Sequence, residues 1–402
     1  MMMVYCTTKG ACKKFYLRCS QGRAVWAALL VLFICALLTS VARSAPPGSE
    51  STLNLSSGKE IYKAACIACH GPDGKGVAKE IRGFKQPSSF PDLTNCYQTT
   101  SELNNDYRAI VTNGGPYRGF SQIMPAFKDA LTPEQIDEVV RYVRTFCHNR
   151  NWPPGELNLP LALNTEKAYP EDEVVVTSSV NATGAGSAAT HIIDEQRFGV
   201  KNQLEVDIPV MFAQPNRTWY GGVGDISIGM KRVMYSRLTS AEGLGAGTIF
   251  SLQGNVVAPT GNSVKGLGSG TTAFETFVEA GQLFRSNTFL QFQGGATLPT
   301  DTRKEAQSTF WYTTLGQMFP QGGGLGRLWS PMLEVLGARD LTDQAKTNWD
   351  LVPEMQVTLS KRQHVRGNVG VRVPVNNTYA RPVEVQFYIL WDWQEGSFLK
   401  GW

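Results

Sequence analysis

Residues 58–76 read Gly58-Lys-Glu-Ile-Tyr62-Lys-Ala-Ala-Cys66-Ile-Ala-Cys69-His70-Gly-Pro72-Asp-Gly-Lys-Gly76, and this stretch decides the first half of the fold. Two cysteines at i and i+3 lie on one helical face, and the histidine follows directly. That C-x-x-C-H spacing is a haem attachment motif: both thiols reach the vinyl groups and the next side chain falls under the iron. Half of a zinc site would need a second C-x-x-C or an H-x-H pair, and the chain has neither. A redox dithiol would need a surrounding βαβ pattern, which is missing as well.

Working outward, Gln122-Ile123-Met124-Pro125-Ala126-Phe127 is a loop carrying a methionine. Leu131-Thr132-Pro133-Glu134-Gln135 then opens a helix. Thr132 suits the N-cap, Pro133 the first helical position and Gln135 the capping-box position. Val139, Tyr142, Val143 and Phe146 give that helix an apolar face at helical spacing. Taken in order, the motif, the Met-Pro loop and the closing helix resemble the small single-haem cytochromes c, over about a quarter of the chain. The resemblance implies one covalent haem c on Cys66 and Cys69, with His70 and Met124 as axial iron ligands. It also implies that the Pro72 carbonyl holds the His70 imidazole and that the last helix crosses the first. Paired His and Met ligands leave no open iron position and favour electron transfer over gas or peroxide chemistry. No Ser-His-Asp set, P-loop or paired-carboxylate site is present, so no catalytic residues are expected. His148, His191 and His364 show no ligand spacing.

The chain has 402 residues and a formal net charge of +4. Residues 1–45 hold Lys9, Lys13, Lys14, Arg18, Arg23 and Arg43 and no acid, so the remainder is net negative and nucleic acid is not an expected partner. The basic stretch, the apolar run Ala24–Leu38 and the small residues Ser40-Val41-Ala42 read as a signal peptide over 1–45. The apolar run is shorter than the ~20 residues a spanning helix needs. Export leaves Cys96 and Cys147 beside the motif, either as a disulfide or as two buried thiols; spacing alone does not decide.

The expected organisation is a haem domain over 50–150, a polar linker over 151–190 that begins at Trp152-Pro153-Pro154-Gly155 and carries a first irregular strand near Val174–Val176, and a β-domain over 191–402. In the last segment apolar and polar residues alternate. Leu204, Val206, Ile208, Val210 and Phe212 form one such run, and Val383, Val385, Phe387, Ile389, Trp391 and Trp393 another. A soluble sandwich and a membrane barrel both use this pattern. Strands near the ~9–11 residues that cross a bilayer favour the barrel, as do turns such as Pro259-Thr260-Gly261-Asn262 and aromatics at strand ends (Trp219, Tyr235, Trp311, Trp329). The expected fold class is therefore multi-domain α + β: a small all-α haem domain followed by an antiparallel transmembrane barrel of about twelve strands. The β-segment loosely resembles outer-membrane porin-like transporters of the phenol-degradation family, and the whole chain resembles fused outer-membrane cytochrome–porins, some of which oxidise ferrous iron.

That resemblance implies one-electron transfer at the bacterial outer membrane, with the haem domain facing the periplasm. The expected partners are outer-membrane lipid, a periplasmic redox protein and a small redox substrate in the lumen. Whether the protein also counts as an outer-membrane oxidoreductase is left open. Two other readings are a solute transporter regulated by its haem domain, and a barrel that merely anchors a periplasmic electron carrier.

Overall fold

The computed structural model describes residues 55–400 apart from 79–82, 150, 215–216, 240–245, 321–327, 380 and 395. The expected signal peptide lies outside the described residues. The haem domain contains α1 (Gly58–Ala65), α2 (Ile67–His70), α3 (Cys96–Thr99), α4 (Asn104–Asn113) and α5 (Pro133–Val143). The helices α1 and α5 both start with reciprocal caps. Ser57 Oγ accepts from the Glu60 amide while Glu60 returns to the Ser57 amide, and Thr132 and Gln135 do the same for α5. Ile61 and Tyr62 of α1 bury against Ile136, Val139 and Val140 of α5, with Leu93, Leu131 and Phe146 completing the core. Tyr142 and Val143 pack partly buried on its edge.

The two helices cross at Gly58. A Cβ built there would lie 2.0 Å from the Glu138 carbonyl oxygen and 2.9 Å from Tyr142 Cβ. Gly58→Ala is therefore expected to destabilise the domain by about 1–3 kcal/mol, although alanine outranks glycine in a helix. Urea unfolding followed by circular dichroism checks this; a stabilised variant would refute the close approach. Cys96 and Cys147 are joined in a disulfide across 51 residues, Cα atoms 5.1 Å apart. On chain-entropy grounds such a link contributes about 4 kcal/mol.

The β-domain contains β1 (Glu173–Asn181), β2 (Ser187–Phe198), β3 (Asn202–Ala213), β4 (Tyr220–Val223), β5 (Ile226–Leu238), β6 (Gly247–Ala258) and β7 (Ala273–Leu283). It continues through β8 (Thr288–Pro299), β9 (Ser308–Gln317), β10 (Phe319–Pro320), β11 (Leu328–Asp340), β12 (Asn348–Thr358), β13 (Val365–Pro374) and β14 (Glu384–Asp392). β4 and β10 are short additions to β3 and β11. The other twelve are joined antiparallel around a closed ring, in which β9 pairs with β11 and β14 returns to β1, with Val176 opposite Ile389. Among the described residues, closure leaves none of the twelve long strands as an unpaired edge.

The faces are reversed relative to a soluble protein. Ile228 and Met230 on β5, Leu252 and Val256 on β6, and Val385, Phe387 and Ile389 on β14 are exposed. Ser251, Gln253 and Asn255, or Gln386 and Asp392, on the same strands are buried. An outward apolar band over an inward polar face is the pattern of a barrel solvated by lipid and excludes a soluble sandwich.

The stretch 151–190 is not a linker. Its last part is β1 and the start of β2, so the barrel begins at Glu173 rather than near 191. Its first part, 155–172, runs through the barrel interior. Leu157, Leu159, Ala168 and Tyr169 form a core with Val233, Ile249, Leu283, Phe289 and Met332 of the wall. Leu161 and Leu163 pack on Val175, Tyr388 and Leu390. Because this segment is irregular beyond the single helical turn Gly155–Leu157, its backbone groups need partners, and the polar lumenal side chains supply them. Glu334 accepts from the amides of Asn164 and Thr165, and from Asn164 Nδ2 and Thr165 Oγ1 at 2.9 and 2.6 Å. Gln291 donates to the Pro160 carbonyl at 2.8 Å, Tyr388 to the Leu161 carbonyl at 2.7 Å and Ser251 to the Ala168 carbonyl at 2.5 Å. Lys231 donates to the Lys167 carbonyl at 2.8 Å and pairs with Glu279 at 3.3 Å. The polar face expected to line a wet lumen instead holds a plug.

Candidate functional site

The helix α1 ends at Cys66, and the chain turns at once into α2. Cys66 N bonds the Tyr62 carbonyl, and Cys69 N and His70 N both bond the Cys66 carbonyl at 3.1 and 2.9 Å. This unbroken turn puts Cys66, Cys69 and His70 on one wall of a cavity of about 630 Å³, within the roughly 300–1,000 Å³ of small-molecule and cofactor sites. Tyr62 sits behind the turn, its hydroxyl donating to the Gly71 carbonyl at 2.8 Å. Burial, with Cys69 nearby, pushes the Cys66 thiol up to about 11. The His70 imidazole stacks on Phe90 with ring centroids 5.0 Å apart, and burial lowers its basicity, which keeps it neutral as a metal ligand must be. Its Nδ1 is buried and makes no hydrogen bond, so the expected bond to the Pro72 carbonyl is not formed.

Met124 lines the same cavity. Its loop is tied to itself: Gly115 N bonds the Met124 carbonyl at 3.0 Å and Phe120 N bonds the Gly115 carbonyl at 2.9 Å. Gly119 takes a left-handed conformation (φ 68°), and a Cβ on Gly115 would meet the Ser121 carbonyl oxygen at 2.2 Å. The cavity thus gathers all four residues singled out in the sequence: two thiols, a neutral imidazole and a thioether. This soft and borderline donor set fits haem iron and its vinyl groups.

Sequence reasoning did not anticipate that the barrel completes the cavity. Arg197, Arg362, Asp392, Gln394, Ser397 and Lys400 also line it. Buried Arg197 on β2 lies 4.9 Å over Tyr97 and 5.1 Å over Trp152, and 5.9 Å from the Tyr169 ring of the plug. Tyr97 donates to Asp172 at 2.6 Å. No local signal marks such residues, since their haem-domain partners lie a hundred or more positions away, 243 for Arg362 and Gly119. His364, which shows no ligand spacing in the sequence, is buried between Ser360 Oγ (3.0 Å) and the Ser397 carbonyl (3.2 Å). His191 pairs with Asp207 at 2.8 Å, and His148 is exposed.

The family profile of cytochrome c matches residues 55–146. Cytochrome c6 of a Nostoc species is 35% identical over 114 residues, 28% of this chain and 86% of that protein. A nicotinate dehydrogenase chain of Pseudomonas putida is 26% identical over 107 residues, 26% of this chain. The quinohemoprotein alcohol dehydrogenase ADH-IIG of the same species is 30% identical over 105 residues, also 26% of this chain. The chain spans only 8% and 12% of these two relatives. Among solved structures, an outer membrane channel from Pseudomonas putida F1 is 14% identical with a TM-score of 0.37, covering 58% of this chain and 99% of that one. The KdgM porin in complex with oligogalacturonate is 7% identical with a TM-score of 0.34, covering 55% and 98%. The barrel assignment rests on the strand pairing itself.

Proposed function

The chain belongs to the cytochrome c family through residues 55–146, and from that premise we propose that it transfers one electron at a time through a single covalent haem c, held at a bacterial outer membrane by its barrel. The observation that carries this reading is the convergence of Cys66, Cys69, His70 and Met124 on one cavity. Cys66 and Cys69 would tether the haem as thioethers, and His70 and Met124 would ligate its iron. When bound, the haem supplies a one-electron iron couple. The chain's own part would be to hold the two thiols, the His70 imidazole and the Met124 thioether in place around the haem within the cavity.

The outward apolar band supports membrane embedding. The haem domain enters at the mouth where β1 begins and β14 ends, since Glu173 pairs with Asp392. The connections at that mouth run from 3 to 10 residues, among them 199–201, 284–287 and 318–327, whereas those at the opposite mouth run from 5 to 14, among them 182–186, 214–225 and 259–272. Outer-membrane barrels place short turns on the periplasmic side and long loops outside, which supports a periplasmic haem domain and a periplasmic redox protein as partner. The plug supports the anchor role over solute transport: a small redox substrate would have to displace 155–172 to reach the haem through the lumen.

The test uses the purified full chain in sealed liposomes that enclose an electron acceptor, with a membrane-impermeant reductant outside and empty liposomes and Met124→Ala as controls. Haem should be reduced in the molecules whose haem domain faces outward, with no relay to the enclosed acceptor. Acceptor reduction only with the intact protein would overturn the anchor role. Haem reduced by no reductant from either side would overturn electron transfer itself.

A further inference from the structure

We propose that the barrel positions the axial thioether: Arg362, on the turn between β12 and β13, holds the loop that presents Met124 to the iron. This rests on the reading of Met124 as a ligand. Arg362 donates from Nε and Nη2 to the Gly119 carbonyl at 3.3 and 3.2 Å, and its guanidinium lies 4.8 Å over the Phe120 ring. A planar fork and a stack used together are specific to arginine. Gly119 and Phe120 are the outer corner of the Met124 loop, and the two bonds Phe120 N to Gly115 O and Gly115 N to Met124 O carry the constraint from that corner to the methionine. The tight approach of Gly115 to Ser121 leaves little slack between them.

The Arg362 turn is itself rigid. Ser360 Oγ accepts from Val365 N at 3.1 Å and pairs with His364 Nδ1, the His364 carbonyl accepts from Asp392 N at 2.8 Å, and His364 Nε2 meets the Ser397 carbonyl. Three elements of the barrel, β12 to β14 with the tail beyond β14, thus brace one guanidinium. Opening the iron–sulfur bond requires the loop to swing out, and Arg362 opposes that movement from outside the haem domain. Its effect is therefore on the equilibrium between bound and released thioether, and an arginine that served only as interface filler would leave that equilibrium unchanged.

The experiment titrates the oxidised full chain with imidazole, which displaces a loosely held thioether, and follows the iron–sulfur charge-transfer absorbance. Arg362→Ala should bind imidazole about tenfold more tightly than the wild type, equivalent to about 1.4 kcal/mol. Arg362→Lys, which keeps the charge but loses the fork and the stack, should stay close to Arg362→Ala. A wild-type affinity in Arg362→Ala with full haem content would overturn the proposal. If Arg362→Ala carries no haem, Phe120→Leu decides in its place: a several-fold gain supports the clamp, and a wild-type affinity overturns it. Met124→Ala separates the two readings. If it also binds imidazole as the wild type does, Met124 is not the ligand and both readings fall. If it alone binds more tightly, only the clamp falls.

Discussion

Alanine at both Cys66 and Cys69 is expected to leave a protein whose barrel folds but whose haem stain on a denaturing gel is lost almost completely. Cys96 and Cys147 are consumed in a disulfide, so Cys66 and Cys69 are the only free thiols among the described residues. Both face the same cavity from one helical turn, and burial keeps the Cys66 thiol protonated near neutral pH, in keeping with its rise to about 11. Either single alanine variant should retain a weaker stain through the remaining thioether, and His70→Ala should retain the stain with an altered spectrum. The barrel is built by pairings that do not touch these residues, so its resistance to unfolding in unheated gel samples should be unchanged. A full-strength stain in the double variant would show that attachment is elsewhere.

What the sequence made legible, and what it did not, divides along a physical line. Cys66 to His70, the Thr132–Gln135 capping box and the alternation in β3 and β14 are local: each is a periodicity or a spacing within a dozen residues, and the helices and strands are found where the pattern implies. The alternation alone leaves ten to twelve strands, and the even count expected of an outer-membrane barrel leads to the twelve that are found. The plug was not, because an irregular backbone has no period. Leu157, Leu159, Leu161 and Leu163 do alternate, but they are separated by Asn158 and two alanine- or proline-bearing steps and are followed by the polar run Asn164-Thr165-Glu166-Lys167, so they read as a spacer. β1 was blurred by three consecutive valines, Val174 to Val176, and by Thr177-Ser178-Ser179, which leave no clean alternation. The bond expected between His70 and Pro72 came from family pattern, and here Nδ1 stays without a hydrogen bond. Arg197 and Arg362 act across distances in sequence that no motif spans.

Breaking the plug's anchorage is the second large expected effect, and Glu334 is the residue to change. It is 0% exposed and accepts from two backbone amides and two side chains of Asn164 and Thr165. Each hydrogen bond contributes about 0.5–1.5 kcal/mol, and a buried amide left unpaired costs about 1–3 kcal/mol. Glu334→Leu removes every acceptor at once and leaves both amides facing an apolar side chain, so the plug loses several kcal/mol of anchorage while the outward face that meets lipid is untouched. Glu334→Gln keeps one acceptor oxygen and should lose less. In planar bilayers the wild type should therefore conduct little, Glu334→Leu should show frequent brief openings, and deletion of 158–168 should give long-lived open channels of larger conductance. The order matters more than the absolute values, because it ties conductance to the number of bonds holding the segment. A wild-type protein as conductive as the deletion variant would mean that 155–172 leaves the lumen in a membrane, and the transporter reading would then replace the anchor. If instead the variants open as expected while reduction of the haem from its own side is unchanged, the segment is a seal whose removal leaves the electron-transfer site intact.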